Sequence, residues 1–283
     1  MRILIILFAF ASLFLFSCQK EVDFAARNTN GGGTTSGSML VKTVAKSGTD
    51  SLVTLYTYNG NKKLINEKVT GTDQGNDINK EYRYYRNGAG IITHYVIISP
   101  DLISVGIDSI TTVVHYNSST SRYTSYVIRI SITGFSFLDS SNFVYDASGK
   151  ITREELYESP SGAGNDYYLS GKANYTYAAN GNIAQLDIYD IDQAGTLSFV
   201  GTSKYSYDTK TSPIHLDNEA FAIGHTQWVS ANNIISGQLI DSDPTNNQTL
   251  VTSYVYNSDN KPSTSISTIS PDNVVINTAY YYQ

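Results

Sequence analysis

Phe143-Val144-Tyr145-Asp146-Ala147-Ser148-Gly149-Lys150-Ile151 reads as the end of one β-strand, a tight turn and the start of the next. Phe143 and Tyr145 lie two apart, so an extended chain points both to one face. Aromatic and β-branched residues suit such a pleated, half-buried surface. Asp146 opens the turn by accepting from backbone N–H groups ahead of it. Gly149 has no Cβ and suits a left-handed position that closes the turn, and Ile151 begins the return strand.

Variants of this hairpin recur along the chain. Tyr56-Thr57-Tyr58-Asn59-Gly60-Asn61 leads into Lys63-Leu64-Ile65, and Tyr82-Arg83-Tyr84 precedes Asn87-Gly88 and Ile91-Ile92. Val114-His115-Tyr116-Asn117, Tyr175-Thr176-Tyr177 with Asn180-Gly181-Asn182-Ile183, Tyr205-Ser206-Tyr207-Asp208 and Tyr254-Val255-Tyr256-Asn257 continue the series. Tyr280-Tyr281-Tyr282 ends the chain on the same half-motif. Successive units are mostly 26 to 32 residues apart, enough for two strands and two connections. The interval from Tyr207 to Tyr256 is 49 residues, which places an insertion at about 211–231. Polar or small residues between the paired aromatics give the period-2 pattern of a sheet with one buried face. The fold class is therefore all-β, an antiparallel meander of roughly fourteen to sixteen strands forming one domain over 40–283. Because neighbouring strands twist by roughly 20–25°, so long a meander curls into an open or closed barrel-like sheet.

The amino-terminal end has a different logic. Met1-Arg2 supplies positive charge and Ile3 to Phe16 an apolar run of about fourteen residues, short for a membrane span and suited to a signal peptide over 1–17. Leu15-Phe16-Ser17-Cys18 resembles the lipobox of bacterial lipoproteins, although Phe16 is bulkier than usual at its position. The resemblance implies cleavage before Cys18 and lipid attachment to it, and Cys18 is the chain's single cysteine. Several acyl chains anchor a protein stably where one does not. Residues 18–39 are then the lipidated cysteine and a tether, rich in Asn, Gly, Thr and Ser from Arg27 on, with a reach on the order of 25 Å. Cys18-Gln19-Lys20-Glu21-Val22-Asp23 resembles the start of many Bacteroidetes lipoproteins and implies the outer membrane, with the surface or periplasmic face undecided.

Two further resemblances concern the body. The Tyr-x-Tyr-Asp-x-x-Gly-x-Ile pattern is similar to the YD repeats of RHS proteins, whose hairpins coil into a shell. The chain over most of 40–283 resembles uncharacterised Bacteroidetes lipoproteins with a domain of unknown function of porin-like β-fold. Those share the tyrosine-rich hairpins and a late insertion beginning as in Tyr207-Asp208-Thr209-Lys210-Thr211-Ser212-Pro213. That family supplies no catalytic residues to transfer.

The net charge of −6 argues against nucleic acid as a partner. His215, Asp217, Glu219, His225 and Trp228 in the insertion are the one constellation with ligand-type side chains, at a spacing that matches no metal motif. They read as a loop or short helix covering the sheet, with Phe221 and Trp228 packed inward. Glu154-Glu155 face opposite sides of a strand, and Asp139, Asp241 and Asp243 read as turn residues. No catalytic residue, metal ligand or cofactor site is expected. The expected role is non-enzymatic binding or scaffolding of a glycan or envelope protein. A carrier of lipid or another apolar ligand inside the curled sheet is the alternative, and a hydrolase built on 215–228 the less favoured one.

Overall fold

A computed structural model describes residues 38–132, 135–159, 161 and 166–283. Sixteen antiparallel strands follow one another in chain order, and the first pairs with the last, so the sheet is a closed barrel. They are β1 (Leu40–Ser47), β2 (Asp50–Tyr58), β3 (Leu64–Asp73), β4 (Asn76–Arg86), β5 (Ile92–Ile98), β6 (Ile110–Asn117), β7 (Arg122–Ile132) and β8 (Phe135–Tyr145). Then come β9 (Ile151–Ser159), β10 (Tyr168–Tyr177), β11 (Ile183–Ile191), β12 (Leu197–Thr211), β13 (Asn232–Asp241), β14 (Gln248–Tyr256), β15 (Pro262–Ser270) and β16 (Val274–Tyr282). Closure leaves no unpaired strand edge.

Each recurring hairpin makes one of the turns at the same end of the barrel. The Asp146 carboxylate accepts from Ser148 N–H at 2.8 Å and Lys150 N–H at 3.0 Å, and Asn59, Asn87 and Asn257 accept from the equivalent pairs. The left-handed residue comes three places after the acceptor: Lys62, Gly90, Gly149 and Asn260. In the first two turns it is therefore not the glycine that follows the asparagine. A bulge then shifts the return strand, so that Tyr58 faces Leu64, Tyr145 faces Ile151 and Tyr177 faces Ile183.

The second aromatic of the motif ties off a strand end. Tyr58, Tyr145, Tyr177 and Tyr207 donate their hydroxyls to the carbonyls of Leu40, Tyr123, Ile151 and Ile183, at 2.6 to 2.9 Å. The second repeat corrects the alignment read from sequence. Its lumen-facing pair at the turn is Tyr84 and Arg86, not Tyr82 and Tyr84, because Arg86 faces Ile92 across the bulge. The Arg86 guanidinium, not a tyrosine, holds the Leu64 carbonyl, at 3.0 Å through two nitrogens.

The insertion corrects a second expectation. It does not cover the sheet from outside but enters the barrel at the turn end. Helix α2 (Glu219–Ala222), counted after α1 (Pro100–Ser104), brings Ala220, Phe221, Ala222 and Ile223 into the core, all at most 3% exposed. Phe221 packs edge-on against Tyr175, with centroids 4.8 Å apart, and touches Phe143 at 6.1 Å. The opposite wall face carries charge in mid-strand: Arg83 pairs with Glu81, Arg153 with Glu155, and Lys172 lies over Tyr189. Among the described residues no helix is long and apolar enough to cross a membrane.

Candidate functional site

Asp208 shows how the plug is spliced into a hairpin. Its carboxylate accepts from Lys210 N–H at 2.9 Å, as in the other turns, but the second donor is Asn233 N–H at 3.1 Å, beyond the whole insertion. The Tyr256 hydroxyl also donates to it. Asn182, fully buried, accepts from Ala231 N–H at 3.0 Å and donates to the Asn232 side chain at 2.9 Å, fixing the plug's exit.

Two polar clamps hold the plug against β3 and β4. Arg86 and Glu219 form a bidentate pair at 2.7 and 2.9 Å, with only 4% and 12% of the two side chains exposed. The Tyr123 hydroxyl donates to Glu219 at 3.1 Å. On the other side, Glu67 lies 3.2 Å from His225 Nε2, and the Tyr84 hydroxyl bonds both at 3.2 and 3.1 Å. His225 stacks on Trp228 at 4.0 Å. His215 instead pairs with Asp217 at 2.9 Å, on a far more exposed part of the segment. The structure thus assigns the two histidines different partners, and among the described residues no group of three or more His, Cys, Asp or Glu could hold a metal. Cys18 lies outside the described residues.

Beyond the plug the lumen is hollow. A cavity of about 360 Å³ lies between α2 and the opposite end of the barrel. Phe221, Gly224 and Thr226 form its floor; Ile128, Leu156, Leu186 and Ile188 supply apolar wall. Tyr126, Tyr168, Tyr175 and Tyr205 line it too, and toward the far strand ends come Asp139, Glu158, Asp190 and Asp192. The Tyr168 hydroxyl donates to Glu158 at 2.8 Å within this wall, whereas the Tyr157 hydroxyl donates to Glu155 on the outer face, at 3.2 Å.

Glu154 lies in the wall of this cavity. It accepts hydrogen bonds from Tyr126 at 3.1 Å, Tyr175 at 3.0 Å and Ser141. Burial raises its carboxyl, and the three donors oppose that rise. Sequence reading set Glu154 aside because Glu155 faces the other way. That geometry holds, and it is the reason Glu154 belongs to the lumen. Asp139 is also misplaced by sequence, since it lies inside β8 and not in a turn. Burial, and then the nearby Glu158, push its carboxyl up to about 7. Its Oδ1 is buried with no hydrogen-bond partner among the described residues. Asp139 lies four residues before Phe143 and Glu154 three after Ile151, outside the hairpin motif, so only the alternation of β8 and β9 could have marked them.

No family model matches this chain, and no curated protein matches it. Solved structures share its architecture. A porin-like protein from Bacteroides uniformis superposes with a TM-score of 0.53 at 10% identity, over 86% of this chain and 96% of that one. A porin-like protein from Bacteroides vulgatus gives the same score and identity, over 87% and 99%. The chain is a closed antiparallel barrel of porin-like fold, with its turn end plugged by its own insertion.

Proposed function

We propose that this is a lipid-anchored protein of the bacterial outer membrane, its barrel standing in water, that receives a small, largely apolar ligand in its lumen. The cavity carries this reading, because about 300–1,000 Å³ with apolar walls and a few polar groups is the usual form of a small-molecule site. It favours a carrier or binding module over a scaffold, and it makes the lumen the site in place of the insertion's histidines. The charged outer wall supports a barrel in water, since a lipid-facing barrel presents an apolar band about 25 Å tall. Attachment through Cys18, and kinship of the hairpins with YD repeats, rest on the sequence motifs. Replacing Cys18 by Ala should abolish palmitate labelling, and persistent labelling would refute the anchor.

Lumenal binding is tested with N-phenyl-1-naphthylamine, a neutral apolar fluorophore, and the full chain in a neutral detergent below its critical micelle concentration. Fluorescence should rise on binding. Ala173→Phe, which puts a ring into the cavity wall, should lower that response at least fivefold, whereas Thr176→Phe on the outer face should not. Equal response in all three proteins would place the fluorophore elsewhere.

A further inference from the structure

We infer that the lumenal cavity is selective for an organic cation, an ammonium group carried on a compact apolar body. This rests on the lumenal-binding reading and adds the ligand's charge to it. Among the described residues, five acidic ones line the cavity, Asp139, Glu154, Glu158, Asp190 and Asp192, and no Lys, Arg or His does. A lumen built for a neutral ligand has no use for this one-sided set, and one built for an anion would be repelled by it.

The placement of the acids is graded. Glu154 already accepts from three neutral donors, Tyr126, Tyr175 and Ser141, so it is satisfied within the wall. Asp139 is different: among the described residues one of its oxygens is buried without a donor, at a position that lines the cavity. A buried acceptor without a partner carries a desolvation penalty that a ligand N–H or ammonium removes. Glu158 lines the same part of the wall and accepts from the Tyr168 hydroxyl at 2.8 Å.

The uncharged wall fits the same ligand. Five of the lining side chains are aromatic, Tyr126, Tyr168, Tyr175, Tyr205 and Phe221. Aromatic faces attract cations, the more strongly the less water surrounds the contact. Aromatic rings with carboxylates at one end are the chemistry by which proteins hold ammonium ligands. Phe221 at the floor and Leu186 and Ile188 in the wall meet the apolar body.

Isothermal titration of the full chain with three probes of similar size tests the charge: 2-phenylethylammonium, neutral 2-phenylethanol and anionic 3-phenylpropanoate. The ammonium should bind at least tenfold more tightly than the alcohol, and the anion most weakly. Asp139→Asn should narrow the ammonium-to-alcohol ratio at least fivefold, and Glu158→Gln provides a second variant should the first fold poorly. If the alcohol binds as well as the ammonium in wild-type protein, the cation inference falls while lumenal binding stands. If none of the three binds while the fluorophore does, the cation inference is likewise overturned. If fluorophore and probes all fail to bind, the lumenal reading itself is lost.

Discussion

Gly149 and Gly60 look alike in sequence, each closing a motif, yet they answer to different constraints. Gly149 sits at φ 88°, where an L side chain costs about 1–2 kcal/mol, whereas Gly60 is outside that region with open space around its Cβ position. Gly149→Ala should therefore lower stability by about 1 kcal/mol in urea titrations, and Gly60→Ala should leave it equal or slightly raised. A matching loss at both would contradict the turn geometry. Asp139 gives a pH-dependent prediction of a different kind. Its carboxyl rises from 3.8 to about 7 on folding, so the folded state prefers the protonated form. Stability contributed this way is present below about pH 4 and is lost as pH rises to about 7, becoming flat beyond. Asp139→Asn should remove that slope from the pH dependence of the urea midpoint. The sequence marks aromatic pairs and turn acceptors well, because each has a local steric cause. It does not mark Arg86, because a guanidinium doing a tyrosine's task shows only once the register places it across from Ile92.

At the scale of elements, the plug is where sequence reading and structure part most. Its boundaries are visible because the repeat stops at Tyr207-Asp208 and resumes at Asn232-Asn233. Its destination is not, since Phe221 and Trp228 would be apolar whether the segment lay on the sheet or inside the barrel. What decides is pairing across more than a hundred residues, as between Arg86 and Glu219, and no local pattern carries that. Removing one partner of a buried ion pair leaves the other uncompensated, so Glu219→Gln or Arg86→Met should cost about 3–5 kcal/mol by thermal or urea unfolding. A loss below about 1 kcal/mol would mean the pair is wet and the plug loosely held.

For the whole molecule, the sequence supports a curled meander but leaves closure open, because hairpins in series specify each neighbour and not the meeting of the first strand with the last. The seam is made by β1 against β16, from Leu40 with Tyr282 to Lys46 with Asn277, and by Met39 and Gln283 exchanging backbone bonds at 2.9 Å. Chain entry thus lies at the plugged end, and the cavity faces the other. With an anchor at Cys18, the lumen would open away from the membrane.

That seam also sets an order of events. Every other strand pair can form as soon as its hairpin exists, but β1 waits for a partner more than two hundred residues downstream. Contacts so distant in sequence are slow to form. A chain made from its amino end therefore exposes one open edge on β1 until the nine residues of β16, Val274–Tyr282, have arrived. The ring cannot close early, and a chain shortened by that strand would keep two free edges open to pairing with other chains.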